Sequence, residues 1–520
     1  MAVVATALLV SSLPYLVAYW TTPSGFQFSG LLFHVEDGYS HLAKMMLGKH
    51  GGWLFYLNYS PEVHEGAYVN MLWILLGKFA GALGLSLNLM WHLARVGFGI
   101  VYFSAIIVTV NSFVEARAQR LIALVLAAFG SGIGWLLVLL GHQTIAGEWL
   151  TDFWLAEAYS TPTLVGFPHI LLAIAMLLLT FVLAFKALET SSLAPSIIAG
   201  LCATLLVMIH PFAAATVDLT LVVYLLTLAC RRKELPVRSM LLMVPVLALP
   251  IPALLYNLLV FVDNPAFRAW SEQNLCLSPS PILYLLGYGM LIPLAMLGAL
   301  SFVSEGSEKG RFLLVWVLVV AVLLYVPFNS QRRFVEGTIA PLAILSARGI
   351  VAYIWPGLRR RGHARMIMPV TALIFALTIP STLFFLVGLT VGALSHSPPS
   401  YQADSILKAM RWLELNTARD QVVLSSLSSG NQIPAIAGNT VVLGHWAETI
   451  HFEEEKQAVE AFFDRNTTDG ERRHILERFR VSYLFYGPDE RQLGDYDIES
   501  SPLLRRVYTD GGYAIFEVLP

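Results

Sequence analysis

Runs of about twenty apolar residues, cut by short polar breaks, fill the first three quarters of the chain. That length matches the roughly 20 residues a helix needs to cross the hydrocarbon core of a bilayer. The runs fall at 1–20, 89–110, 120–141, 164–187, 194–210, 212–230, 239–262, 281–303, 312–328, 334–355 and 366–394, and predict about eleven transmembrane helices. A further run, 67–84, is read as a helix lying along the membrane surface or dipping into it. Beyond residue 394 the pattern changes. Short β-rich stretches at 421–424, 441–443 and 481–486 alternate with helical stretches at 403–418, 452–464 and 470–480, which predicts a small α/β layer. The expected architecture is a polytopic α-helical membrane domain over 1–394, whose first outer loop (21–88) carries surface helices, followed by an α/β domain over 395–520.

Composition sharpens this. The chain is 56% apolar and 13% charged, with mean hydropathy +0.66. Globular proteins carry roughly 25% charged residues, so a soluble enzyme and a disordered chain are both excluded. A net charge of −2 and the lack of a basic stripe exclude a nucleic-acid binder. Three cysteines exclude a disulfide scaffold, and none has zinc-site spacing. The charge is uneven: residues 395–520 hold 19 acidic and 12 basic side chains, the first 394 only 16 and 21.

Lysine and arginine in short loops set orientation. Arg117 to Arg120, Arg231-Arg232-Lys233 with Arg238, Lys309 with Arg311, and Arg359 to Arg365 all fall on one side if 67–84 does not cross. That side is the cytoplasm of a plasma or inner membrane. The N-terminus is then cytoplasmic, and the C-terminal domain extracytoplasmic.

Some charges are left over by topology. Gln331-Arg332-Arg333 falls on the outer side, where guanidinium forks suit an anion such as a lipid phosphate. The first outer loop opens with His34-Val35-Glu36-Asp37-Gly38-Tyr39, an acidic pair costly near a bilayer unless it has a task or a partner. A second cluster, Glu62-Val63-His64-Glu65, follows in the same loop. Asp37 or Glu36 could act as a general base. His34, Tyr39, Glu62, His64 and Glu65 are candidate substrate contacts, and Asp37, His64 and Glu65 a possible site for Mg or Mn. Asp152 and Glu157 in loop 142–163, with His169 and His210 at outer helix ends, are candidate acceptor or phosphate contacts. Segments Ser429-Gly430-Asn431 and Gly444-His445-Trp446 follow strands and read as turns or as ligand contacts.

An N-terminal apolar helix, an outer loop opening on Glu36-Asp37-Gly38-Tyr39, surface helices, many spans and an external C-terminal domain together resemble the GT-C superfamily of integral membrane glycosyltransferases. Its members include protein mannosyltransferases, oligosaccharyltransferases and the lipid A aminoarabinose transferase. The stretch Leu76-Gly77 to Gly84-Leu85-Ser86, followed by Arg95, resembles the family's surface helix and second span. The resemblance implies a polyprenyl-phosphate sugar donor and a base at Asp37, with Glu36 as the alternative. The family's Asp-Glu-x-x-Tyr form is replaced here, and its Trp-Trp-Asp motif is absent, which argues against transfer of a whole oligosaccharide to asparagine.

The expected function is therefore transfer of a sugar, with inversion, from a polyprenyl-linked donor to a glycan, lipid or protein acceptor on the outer face. Lipid phosphate would be held by Arg332, Arg333, Gln331 and His210. Membrane lipids are expected partners. Two other classes compete. A lipid-linked-sugar flippase or transporter would be expected to show internal repeats with paired broken helices, and no repeat is found. A non-catalytic assembly subunit would tolerate loss of Asp37 and Arg332.

Overall fold

The computed structural model describes residues 1–520, which fold into two compact units. The first comprises Met1–Pro14, Ala94–Tyr256 and Cys276–Thr390; the second comprises Tyr15–Leu93, Asn257–Leu275 and Val391–Pro520.

Five stretches along the chain are long and apolar enough to cross a membrane: Ala2–Thr21, Leu87–Phe113, Pro168–Thr190, Ala213–Arg232 and Gln331–Arg360. Three bent pairs raise the number to eight if each is one span. They are Val237–Ala248 with Ile251–Asp263, Pro281–Tyr288 with Leu291–Ser304, and Ala364–Thr378 with Pro380–Leu394. Three of the eleven predicted runs fall outside this number because their helices are shorter. Run 120–141 is cut between Arg117–Phe129 and Gly134–Leu139, while 194–210 and 312–328 form helices of 17 and 16 residues. The ambiguous run 67–84 forms a 13-residue helix, Met71–Leu83. At 1.5 Å per residue it is about 20 Å long, short of the roughly 30 Å core.

In the second unit Met71–Leu83 packs on helix Val35–Lys49. Gly48 and Gly77 make the crossing close. A Cβ on Gly48 would collide with the Ile74 carbonyl, and one on Gly77 with the Met45 carbonyl. The same unit holds a five-stranded sheet of β1 (Val422–Leu424), β2 (Thr440–Val441), β3 (Val481–Tyr486), β4 (Leu504–Asp510) and β5 (Tyr513–Val518). The spatial order is β2-β1-β3-β5-β4. Strands β2, β1 and β3 run parallel, and β5 pairs antiparallel with β3 and β4. Val459, Phe462 and Phe463 of helix Phe452–Phe463 join Leu424, Leu484 and Phe516 of the strands in one apolar core. The strand Phe26–Phe28 of the first loop pairs antiparallel with Tyr401–Ala403, so loop and tail share backbone hydrogen bonds.

Candidate active site

Asp37 lies in the first turn of helix Val35–Lys49, where a carboxylate is favoured by the helix N-terminus. The residue before the helix, His34, takes a left-handed conformation (φ 47°), which is uncommon for a side-chain-bearing residue and concentrates at functional sites. Its Nδ1 lies 3.3 Å from Asp37 Oδ2. The other carboxylate oxygen, Oδ1, is 3.0 Å from Nε2 of His445, a buried residue 408 positions further on. The Ala447 N–H donates to His445 Nδ1 at 3.3 Å, so the neutral ring carries its proton on Nε2 and donates it to Asp37. Burial alone would push the Asp37 carboxyl up. The bonds from His34 and His445 outweigh it and hold the group well below the usual carboxylate range. Asp37 nevertheless keeps 35% of its side-chain surface open, so it is ionised and reachable. Glu36 is exposed and faces no such pair.

The segment that carries His445 is fixed from below. Lys44 Nζ contacts Glu448 Oε1 at 2.5 Å and Ser40 Oγ at 2.6 Å, all three residues being buried. Burial raises the Glu448 carboxyl, and the Lys44 charge overrides it and keeps Glu448 ionised. A Cβ on Gly444 would strike the Tyr59 ring, whose hydroxyl donates to the Asn431 carbonyl at 3.0 Å. Gln273 Nε2 donates to the Thr449 carbonyl at 2.6 Å.

Other first-loop candidates sit apart from this pair. Tyr39 is buried, donates to the Pro399 carbonyl at 3.3 Å and is pushed up to about 12 by burial. His64 Nε2 accepts from the Leu57 N–H at 3.0 Å, while its Nδ1 lies 2.8 Å from the Glu62 carbonyl. Both of its ring nitrogens are thus occupied. Glu65 is exposed. Glu62 accepts from Ser60 Oγ at 2.5 Å and acts on buried Glu455, whose carboxyl is pushed up to about 11 by burial and then by Glu62. No group of three or more His, Cys, Asp or Glu side chains is arranged to hold a metal ion. The expected set of Asp37, His64 and Glu65 therefore does not fit Mg or Mn, because His64 is committed to backbone groups and Glu65 points to solvent.

The first unit contains the basic cluster. Gln331–Val335 is a 3-10 turn that ends in a buried Phe334 and Val335. Arg332 reaches Glu157 Oε1 at 3.4 Å, with its guanidinium 5.0 Å from the Trp154 ring centroid. Arg333 lies 5.6 Å from the Phe212 ring centroid and 4.0 Å from Cys276 Sγ. Gln331 commits its amide to the Ser278 N–H and the Val326 carbonyl. His210 Nδ1 lies 2.9 Å from Glu336 Oε2, both side chains being almost fully buried, and its ring meets His169 edge-on at 5.2 Å. Asp152 accepts from the Gly134 N–H at 3.0 Å and is pushed up to about 6 by burial.

Two contributors escaped sequence reasoning in different ways. Glu336 left a signal, a lone acid inside an apolar run. His445 left only a glycine-flanked turn, and nothing local tied it to Asp37.

No protein-family model and no curated protein matches the sequence. Solved structures do match, glycosyltransferases among them, and the likeness is one of fold. The Archaeoglobus fulgidus oligosaccharyltransferase tethered with an acceptor peptide aligns at TM-score 0.57 and 14% identity, covering 94% of this chain and 68% of that one. ArnT from Cupriavidus metallidurans in the apo state aligns at 0.53 and 13%, covering 99% and 98%. The arabinofuranosyltransferase AftD from Mycobacteria aligns at 0.52 and 12%, covering 99% of this chain and 40% of that one. At such identities the likeness establishes fold, and the site must be argued from its own residues.

Proposed function

We propose that the protein transfers a sugar from a polyprenyl-phosphate carrier to a hydroxyl-bearing acceptor on the outer face of the membrane. The observation that carries this reading is Asp37: an ionised, partly open carboxylate, each oxygen held by a different histidine. Such a group is oriented before substrate arrives, which lowers the cost of aligning the reacting atoms. An acceptor hydroxyl hydrogen-bonded to Asp37 gives up its proton there as its oxygen attacks the anomeric carbon. The bond between that carbon and the phosphate oxygen breaks on the opposite side, so the anomeric centre inverts. A deeply stabilised carboxylate is a weak base on its own. Its main contribution is a fixed negative charge beside the developing positive charge on the sugar.

The basic cluster of the first unit carries the charge that suits a lipid phosphate. Glu157 balances Arg332, which leaves Arg333 as the positive charge available to a phosphate. One fold relative supports such a ligand: the archaeal oligosaccharyltransferase AglB in complex with an inhibitory peptide and a dolichol-phosphate aligns at TM-score 0.52 and 15% identity, covering 93% of this chain and 69% of that one. The C-terminal segment contributes His445, so we assign it a part in the reaction and place it outside the membrane.

The test is transfer of labelled sugar from a polyprenyl-phosphate donor by the purified full chain. Asp37→Asn, if folded as wild type, is expected to lose at least about a hundredfold in kcat, the usual scale for removing one electrostatic stabiliser. Wild-type turnover by Asp37→Asn, or a loss that tracks Glu36→Gln instead, would overturn the assignment.

A further inference from the structure

The buried pair of His210 and Glu336 has no role yet. Both side chains are nearly inaccessible, at 4% and 3%, and lie 2.9 Å apart. Ionisable groups buried so deeply at the ends of apolar elements are costly unless they have a partner or a task. The pairing uses only one side of the imidazole. His210 Nε2 is buried and has no hydrogen-bond partner, which points to an acceptor that arrives with a ligand. The ring cannot swing away, because Phe212 stacks on it at 4.9 Å and His169 meets its edge. The same Phe212 ring carries the Arg333 guanidinium. The carboxylates of Glu157 and Glu336 both act on Arg333.

We propose that His210, held by Glu336, is the acid that hydrogen-bonds the donor phosphate and protonates it as it leaves. This rests on the lipid-phosphate reading above. His210 would touch the phosphate; Glu336 is a positioning residue acting through it. Glu336 takes Nδ1–H, so Nε2–H of the imidazolium points at a phosphate oxygen. When the bond between the anomeric carbon and oxygen breaks, the phosphate gains a second negative charge. The Nε2 proton moves to it, and His210 becomes neutral. The charges balance: Arg332, Arg333 and protonated His210 against Glu157 and Glu336 leave one positive charge for a singly charged phosphodiester. The other charged and titratable groups around the pair are His169 and Arg333, with Glu157 and Arg332 joined to Arg333.

Binding of a short prenyl methyl phosphodiester to the full chain in detergent tests this without turnover, since the charge of that probe stays constant between about pH 5.5 and 8.5. Wild type is expected to bind about tenfold more tightly at the lower pH. Glu336→Gln and His210→Gln are expected to flatten that dependence, whereas Glu336→Asp keeps it. Should Glu336→Gln fail to fold, the Glu336→Asp and wild-type profiles decide. Wild-type affinity that is flat with pH, a dependence that survives Glu336→Gln, or one that follows His169→Gln would overturn the proposal. If pH-dependent binding persists but no sugar is ever transferred, the transferase reading falls and the anion site stands.

Discussion

At the scale of single residues, chemistry here is decided by partners more than by residue type. Asp37 and Glu36 are adjacent acids, and only Asp37 meets histidines. His64 has the sequence surroundings of a ligand, yet both of its nitrogens face backbone groups. Glu455 shows the opposite extreme to Asp37. Its carboxyl is pushed from an ordinary 4.5 up to about 11 by burial and by Glu62. Above about pH 4.5 the unfolded chain loses this proton while the folded chain keeps it, so stability falls as pH rises through the window up to about 11. Glu455→Gln is expected to match wild type near pH 4 and to melt a few degrees higher by about pH 8, the gap widening with pH in thermal scans. A gap that shrinks with rising pH would refute the assignment.

Among the elements, the crossing of Val35–Lys49 with Met71–Leu83 sets where Asp37 stands. It depends on two glycines whose missing side chains let backbones touch. Gly77→Val is expected to lower the melting temperature by roughly 5 °C and to reduce transfer, because the clash is with backbone that cannot rotate aside. Gly97→Ala, where nothing lies within 4 Å, is the tolerated comparison. This scale also shows what a sequence can and cannot display. Apolar runs mark where helices lie, because burial against lipid or core acts on every residue of a run. They miss the breaks, which have local causes. Gly289 takes φ 46° at the 83° bend between Tyr288 and Leu291, and Pro380 lacks the N–H that would continue the helix at the 41° bend. The acidic loop was likewise legible because charge near a bilayer is conspicuous. His445 was not, because its meeting with Asp37 is made by the fold and has no local period.

For the whole molecule, orientation is the open quantity with the simplest readout. The loop arginines predict a tail outside the membrane. In a variant lacking Cys202, Cys230 and Cys276, Ser500→Cys is expected to react with a membrane-impermeant maleimide on intact cells, and Lys233→Cys only after permeabilisation. The reverse pattern would invert the topology and remove the outer-face reaction.

The Asp37–His445 bond joins residues 408 positions apart. A ribosome adding about 5–20 residues per second needs roughly 20–80 s to travel between them. Throughout that interval the first loop exists without the histidine that aligns its carboxylate. Any chain stopped before the segment from Gly444 to Thr449 is made would insert its helices with an unfinished centre. A product truncated before His445 is therefore expected to be inert in the transfer assay.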